Sequence, residues 1–118
     1  MNAPVRALAM VRDLFFRSKL DAIATQVGAE VAYVSTLEAA AGRITELAPS
    51  LVVVDLNDAN FPADKTIAAI RASSPEVRVI GFASHVDLKA LRGAREAGFT
   101  QTLSRSEFTE NLPDLLRG

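Results

Sequence analysis

The stretch Leu51-Val52-Val53-Val54-Asp55-Leu56-Asn57 sets the tightest limit on how this chain folds. Its four consecutive apolar residues, three of them β-branched, leave no polar face. The segment therefore reads as a strand buried on both sides, as central strands of parallel sheets are. Asp55 falls at the C-terminal end of that strand, where the loops of an open α/β sheet converge. A carboxylate there is either a site residue or the cap of the following turn.

The rest of the chain supplies the partners that such a strand needs. Val5 to Val11 is a first apolar run of strand length, and from Asp13 onward Phe16, Leu20, Ile23 and Val27 recur at helical spacing until Gly28 ends the helix. Glu30 to Val34 reads as a second strand. Ser35 or Thr36 then caps a helix carrying Leu37, Ala40, Ala41, Ile44 and Leu47, which Pro49 stops. After the opening strand, the turn formers from Asn57 to Pro62 lead into a helix marked by Ala63, Ile67 and Ile70 and closed at Ser73-Ser74-Pro75. Val77 to Phe82 is strand four. Ser84 to Asp87 resembles a capping box for a helix reaching Ala97, with Gly98 as its end cap. Thr100 to Leu103 is a fifth strand, and Ser104-Arg105-Ser106-Glu107 opens a last helix with Phe108, Leu112, Leu115 and Leu116 on its buried stripe. Pro113 is expected to bend or split it. Five strands alternating with five helices through short loops imply right-handed crossovers and a parallel sheet covered on both faces, within a single domain spanning residues 1–118.

Composition excludes several classes of function. The 118 residues contain no cysteine and a single histidine, His85, which removes disulfide frameworks, thiolate metal sites and imidazole clusters. Thirteen basic residues against fourteen acidic ones are interspersed, which is no electrostatic footprint for nucleic acid. The opening Met1-Asn2-Ala3-Pro4 lacks a basic segment followed by a long apolar one, and no apolar run approaches membrane-spanning length. The expectation is a cytoplasmic protein without a membrane segment, metal or cofactor. No Gly-rich phosphate loop, Ser-His-Asp set or paired catalytic carboxylates appear, so the chain does not read as an enzyme. His85 reads as a solvated residue in the first turn of helix four, Phe16 as core, and Phe15 as a partner contact.

Three stretches, taken together, resemble the receiver domain of two-component response regulators. Residues 51 to 57 resemble its phosphoacceptor strand, Val79-Ile80-Gly81-Phe82-Ala83-Ser84-His85-Val86-Asp87 its switch strand and the start of helix four, and the segment from Ala97 to Ser106 the one holding its lysine and proline. Asp13 to Leu20, combined with Ser-His-Val, Arg-Ser-x-Phe and Leu-Pro-x-Leu-Leu, also resembles a group of degenerate receiver-like bacterial proteins. The resemblance implies a flavodoxin-like (βα)5 fold with strand order 2-1-3-4-5 and a site where strands 1 and 3 diverge.

The resemblance also shows what is missing. An acidic pair that would join the phosphoacceptor in holding magnesium aligns with Val11 and Arg12, and Asp13, one position later, reads as a helix cap. The hydroxyl that would bind a phosphoryl oxygen aligns with Ala83; Ser84 is offset by one residue and reads as a cap. Arg105 stands at the lysine position and Ser106 at the proline, while Thr102 stands at the aromatic switch position. Of the core set only Asp55 is unchanged. Asn57 matches a position that contributes its backbone carbonyl, whatever its side chain. The implied reading is a non-catalytic signalling or protein-interaction module that has lost magnesium-dependent aspartyl phosphorylation. The alternatives are an atypical receiver still phosphorylated on Asp55, or a small-anion sensor using Arg12 and Arg105 at the strand edge. Arg12 or Arg105 is expected to pair with Asp55 and lower its pKa. The expected partner surface, for another protein or for a second copy, is helix four, strand five and helix five. It carries Lys89, Arg92 and Arg95 as a basic strip, Thr102 on the strand, and Glu107, Glu110 and Asp114 as an acidic strip. The two strips pair either within one chain or between two.

Overall fold

The structure, a computed structural model, describes residues 4–118, so the opening Met1-Asn2-Ala3 lies outside the described residues. Strands β1 (Arg6–Met10), β2 (Glu30–Tyr33), β3 (Leu51–Asp55), β4 (Arg78–Ala83) and β5 (Gln101–Ser104) alternate with helices α1 (Leu14–Val27), α2 (Ala40–Leu47), α3 (Ala63–Ser73), α4 (Leu88–Ala97) and α5 (Arg105–Arg117). All four strand pairings are parallel, in the order β2-β1-β3-β4-β5. The expected winding is thus observed, with β3 central and every residue of it buried.

Alternation along β3 divides the core. Leu51 and Val53 face a cluster with Phe16 and Leu20 of α1 and Phe108, Leu112, Leu115 and Leu116 of α5. Val52 and Val54 face Ala40 and Ile44 of α2, Ile67 and Ile70 of α3 and Ala94 of α4. With a side-chain period of two, Asp55 belongs to the α1/α5 side. There Phe16, Phe82 and Phe108 form a stack, with centroids 4.9 Å apart for Phe16–Phe82 and 4.7 Å for Phe82–Phe108. On the other flank of α1 the only tyrosine of the chain, Tyr33, donates to the Asp21 carboxylate at 2.6 Å beneath the guanidinium of Arg17. Burial and that carboxylate raise its pKa.

Local chemistry explains where elements begin. The Asp13 carboxylate accepts from the amides of Phe15 and Phe16 and starts α1, and Gly28, with φ of 76°, ends it. Ser104 and Glu107 close a reciprocal capping box on α5. Two expectations need correction and a third is narrowed. Helix α2 starts at Ala40, because the Thr36 hydroxyl accepts from the Ala39 amide and holds the preceding residues in turns. Helix α4 is capped by Asp87, whose carboxylate accepts from the Ala90 amide, while Ser84 lies in the preceding turn and accepts from the Asp87 amide through its carbonyl. Helix α5 is not split at Pro113; the buried Leu112, Leu115 and Leu116 hold both sides of it against the sheet.

Candidate functional site

The C-terminal edge of the sheet collects the residues singled out in the sequence. Asp55, 7% exposed, ends β3 and its carboxylate accepts from the Asn57 amide at 3.0 Å. A guanidinium nitrogen of Arg105, from the first turn of α5, lies 3.8 Å from the same carboxylate oxygen. The expected ion pair therefore forms with Arg105. Its guanidinium carbon also sits 5.1 Å from the Phe16 centroid and 5.2 Å from that of Phe82, so the cation is held by two ring faces as well as by Asp55. Phe82 faces Asp55 in the sheet register, which is why one side chain reaches both.

Arg12 goes elsewhere. It pairs with Asp58 at 3.7 Å, tying the loop after β1 to the loop after β3. Asp58 also accepts from the amide and the side chain of Asn60. Burial opposes its charge, but the two Asn60 bonds and Arg12 together hold its pKa below the ordinary aspartate value. Asp55 behaves in the opposite way. Burial raises its pKa, and the Asn57 amide and Arg105 offset that only in part, with Asp58 and Asp13 adding to the rise. The expectation of a lowered pKa is thus corrected: one half-exposed guanidinium at 3.8 Å, with no hydrogen bond, does not compensate desolvation.

Asn57 contributes more than a backbone carbonyl. Its side-chain oxygen accepts from the Ser84 amide at 2.7 Å and its side-chain nitrogen donates to Asp87 at 2.8 Å, joining the β3–α3 and β4–α4 loops. Three polar residues at and after the end of β3 thus reach different neighbours: Asp55 reaches α5, Asn57 the turn before α4, and Asp58 the loop between β1 and α1. Sequence reading passed over the Asn57 side chain, because its partners lie 27 and 30 residues away.

The remaining positions are accounted for by packing. Val11 and Ala83 are fully buried, Val11 in the α1/α5 core, so neither presents an oxygen to the edge. The Val11 carbonyl accepts from Arg17 at 2.6 Å. The Asp13 carboxylate is engaged as a cap. Among the described residues, no group of three or more His, Asp or Glu side chains is placed to hold a metal ion. The donor set therefore does not fit the divalent cation that a receiver fold implies. Asp55 faces the Arg105 guanidinium, Asp58 faces Arg12 and Asp13 is turned to its cap, whereas magnesium demands several oxygen ligands converging in near-octahedral array.

On the expected partner surface, Lys89, Arg92 and Arg95 are exposed on α4, and Arg95 donates to the Thr102 hydroxyl at 3.2 Å. Helices α4 and α5 cover opposite faces of the sheet, and no ion pair joins their strips among the described residues. The acidic strip is less free than its spacing suggests. Glu107 turns back to accept from the Ser104 amide, and Asp114 pairs with Arg117 at 2.9 Å, leaving Glu110 without an ionic partner. His85 is exposed in the turn before α4, one turn earlier than expected, while Phe16 is core as expected and Phe15 is 91% exposed.

No protein-family model and no curated protein sequence matches the chain. Solved structures do. The chemotaxis response regulator CheY4 of Vibrio cholerae superposes with a TM-score of 0.81 at 14% identity, covering 98% of each chain. The beryllofluoride-activated NtrC4 receiver domain dimer gives 0.77 at 23% identity, over 94% of this chain and 95% of that one. The receiver domain of sensor histidine kinase PA1611 from Pseudomonas aeruginosa, with magnesium coordinated in its active site cleft, gives 0.77 at 15% identity over 98% of this chain and 100% of that one. The shared strand order and the near-complete coverage in both directions agree, and the chain has the fold of response-regulator receiver domains.

Proposed function

We propose that the chain is a non-catalytic signalling module on the receiver fold, working through contacts with another protein or a second copy and not through magnesium-dependent phosphorylation of Asp55. The observation that carries the reading is the make-up of the edge around Asp55. Where phosphoryl transfer needs a metal and fixed donors to stabilise the developing charge, this edge has the buried side chains of Val11 and Ala83 and the guanidinium of Arg12. Losing that electrostatic stabilisation removes most of what accelerates such a reaction. The small-anion alternative is disfavoured by the Asp55 carboxylate at this edge and by the negative charges of Asp58 and Asp13 that act on it.

Exposure to a small phosphodonor with magnesium, followed by intact-mass spectrometry, tests the reading. The expected result is no added phosphoryl group under conditions that label a magnesium-binding receiver fully. Stoichiometric modification mapped to Asp55 overturns it in favour of the atypical receiver. The proposed contact surface is α4, β5 and α5, supported by the exposed basic residues Lys89 and Arg92, which have no acidic partner within the described chain. The NtrC4 receiver is described as a dimer, which makes a second copy a natural first partner to test.

A further inference from the structure

The carboxylates at the C-terminal edge are all engaged. Asp13 accepts from the amides of Phe15 and Phe16. Asp55 accepts from the Asn57 amide and faces Arg105. Asp58 accepts from Asn60 twice and faces Arg12. Asp87 accepts from the Ala90 amide and from the Asn57 side chain. In a chain with this fold, a mobile divalent cation would gather such groups. Here that work falls to side chains fixed to the backbone.

We infer that Arg12 and Arg105 are built-in cations that replace a divalent ion at this edge, so that the folded edge both needs no such ion and excludes one. The inference goes beyond the proposed function, which concerns phosphorylation and partners, by assigning Arg12 a role as the barrier to metal. The charge balance makes the case. Asp13, Asp55 and Asp58 interact electrostatically, and two guanidiniums sit among them, Arg105 on Asp55 and Arg12 on Asp58. Leaving aside Asp87, which is tied to Asn57 and to the start of α4, these three negative charges against two positive leave a net charge of minus one. An incoming divalent cation would meet two half-exposed guanidiniums at a few ångströms, well inside a Debye length, where like-charge repulsion still acts although solvent weakens it. Arg12→Asp changes the balance to four negative charges against one positive, a net of minus three, and frees the Asp58 oxygen that now faces Arg12. Hard cations take such oxygen ligands readily and complete their shell with water.

Manganese, used as a paramagnetic stand-in for magnesium, gives a direct readout in amide spectra of the ¹⁵N-labelled chain. For the wild type, the expected result is no selective broadening of the amides of Asp13 and of residues 55–58 relative to other surface carboxylates. For Arg12→Asp, the expected result is selective loss of those signals at low manganese, restored by excess magnesium. Selective, magnesium-reversible broadening in the wild type overturns the inference. So does an Arg12→Asp chain that folds yet broadens no more than the wild type. Should that variant fail to fold, Arg12→Glu carries the same charge change with a longer reach, and the wild-type result stands by itself. Phosphorylation without manganese binding would refute the proposed function and leave this inference intact; manganese binding without phosphorylation would do the reverse.

Discussion

At the scale of single residues, Asp55 is the group whose environment departs most from what its sequence context suggests. Its folded-state pKa is raised, chiefly by burial, above the ordinary value of 3.8 that holds in the unfolded chain. Between those two values the folded state binds more protons than the unfolded one, so this group makes stability fall as pH rises through the window and flat above it. Asp55→Asn keeps an acceptor for the Asn57 amide and removes the titration. Chemical denaturation across acidic pH should show the wild type losing stability relative to the variant as pH rises, with the variant at least as stable at neutral pH. A wild type that gains on the variant over that range would show Arg105 outweighing burial. Arg105 itself contributes through a half-exposed ion pair and through its ring contacts. Arg105→Ala is expected to cost about 1–2 kcal/mol in urea unfolding, the sum of a weak pair and a cation–π contact. Asp55 at a strand end was legible from the apolar run before it, and Arg105 as a site residue only from the likeness to receivers. Which arginine would meet which aspartate was not, because that depends on side-chain direction at the ends of β1 and β5, and on the rings of Phe16 and Phe82 giving Arg105 a resting place.

At the scale of elements, the strands and their order emerged from apolar runs and from the likeness to receivers, and the errors cluster at helix starts. A Ser or Thr followed by helical periodicity marked both α2 and α4 too early. In each case the hydroxyl residue holds a turn, and the helix begins where backbone carbonyls and, for α4, the Asp87 carboxylate take over. The same motif was right at Ser104, where Glu107 completes the reciprocal bond that Asp87 is too short to make from the third position. Ser104→Ala should therefore destabilise the chain by about 1 kcal/mol, read from the denaturation midpoint at unchanged slope. Gly81 shows the reverse situation, a residue whose reason is visible only in three dimensions. A Cβ there would lie 2.8 Å from a terminal carbon of Leu56 and 3.0 Å from the Phe99 ring. Gly81→Ala is expected to cost about 1–3 kcal/mol, as overpacking does in a filled core, and near-wild-type stability would mean that Leu56 moves aside freely.

At the scale of the whole molecule, the sheet separates the surfaces that the sequence placed side by side. The basic strip of α4 and the acidic residues of α5 flank the edge strand β5 from opposite faces, which removes pairing within the chain and leaves the basic residues to an acidic partner or to Glu110 of a second copy. Contacts of that kind are screened by salt. Sedimentation at low and high salt should show an association that weakens with salt and is lost in Arg92→Glu; a monomer in every condition, with no partner affected by the charge reversal, would leave the strip as ordinary solvated surface. The distribution of aromatic rings has a practical consequence for such experiments. The chain has no tryptophan, and its one tyrosine lies on β2, at the sheet edge opposite β5, bonded to a carboxylate. Tyrosine emission thus reports only the edge away from the proposed contact, while circular dichroism in the phenylalanine bands reports six rings, three of them the stack beneath Arg105. A partner that bound at β5 and disturbed the Asp55 edge would alter the second signal and spare the first, so the unlabelled protein can locate its own binding event.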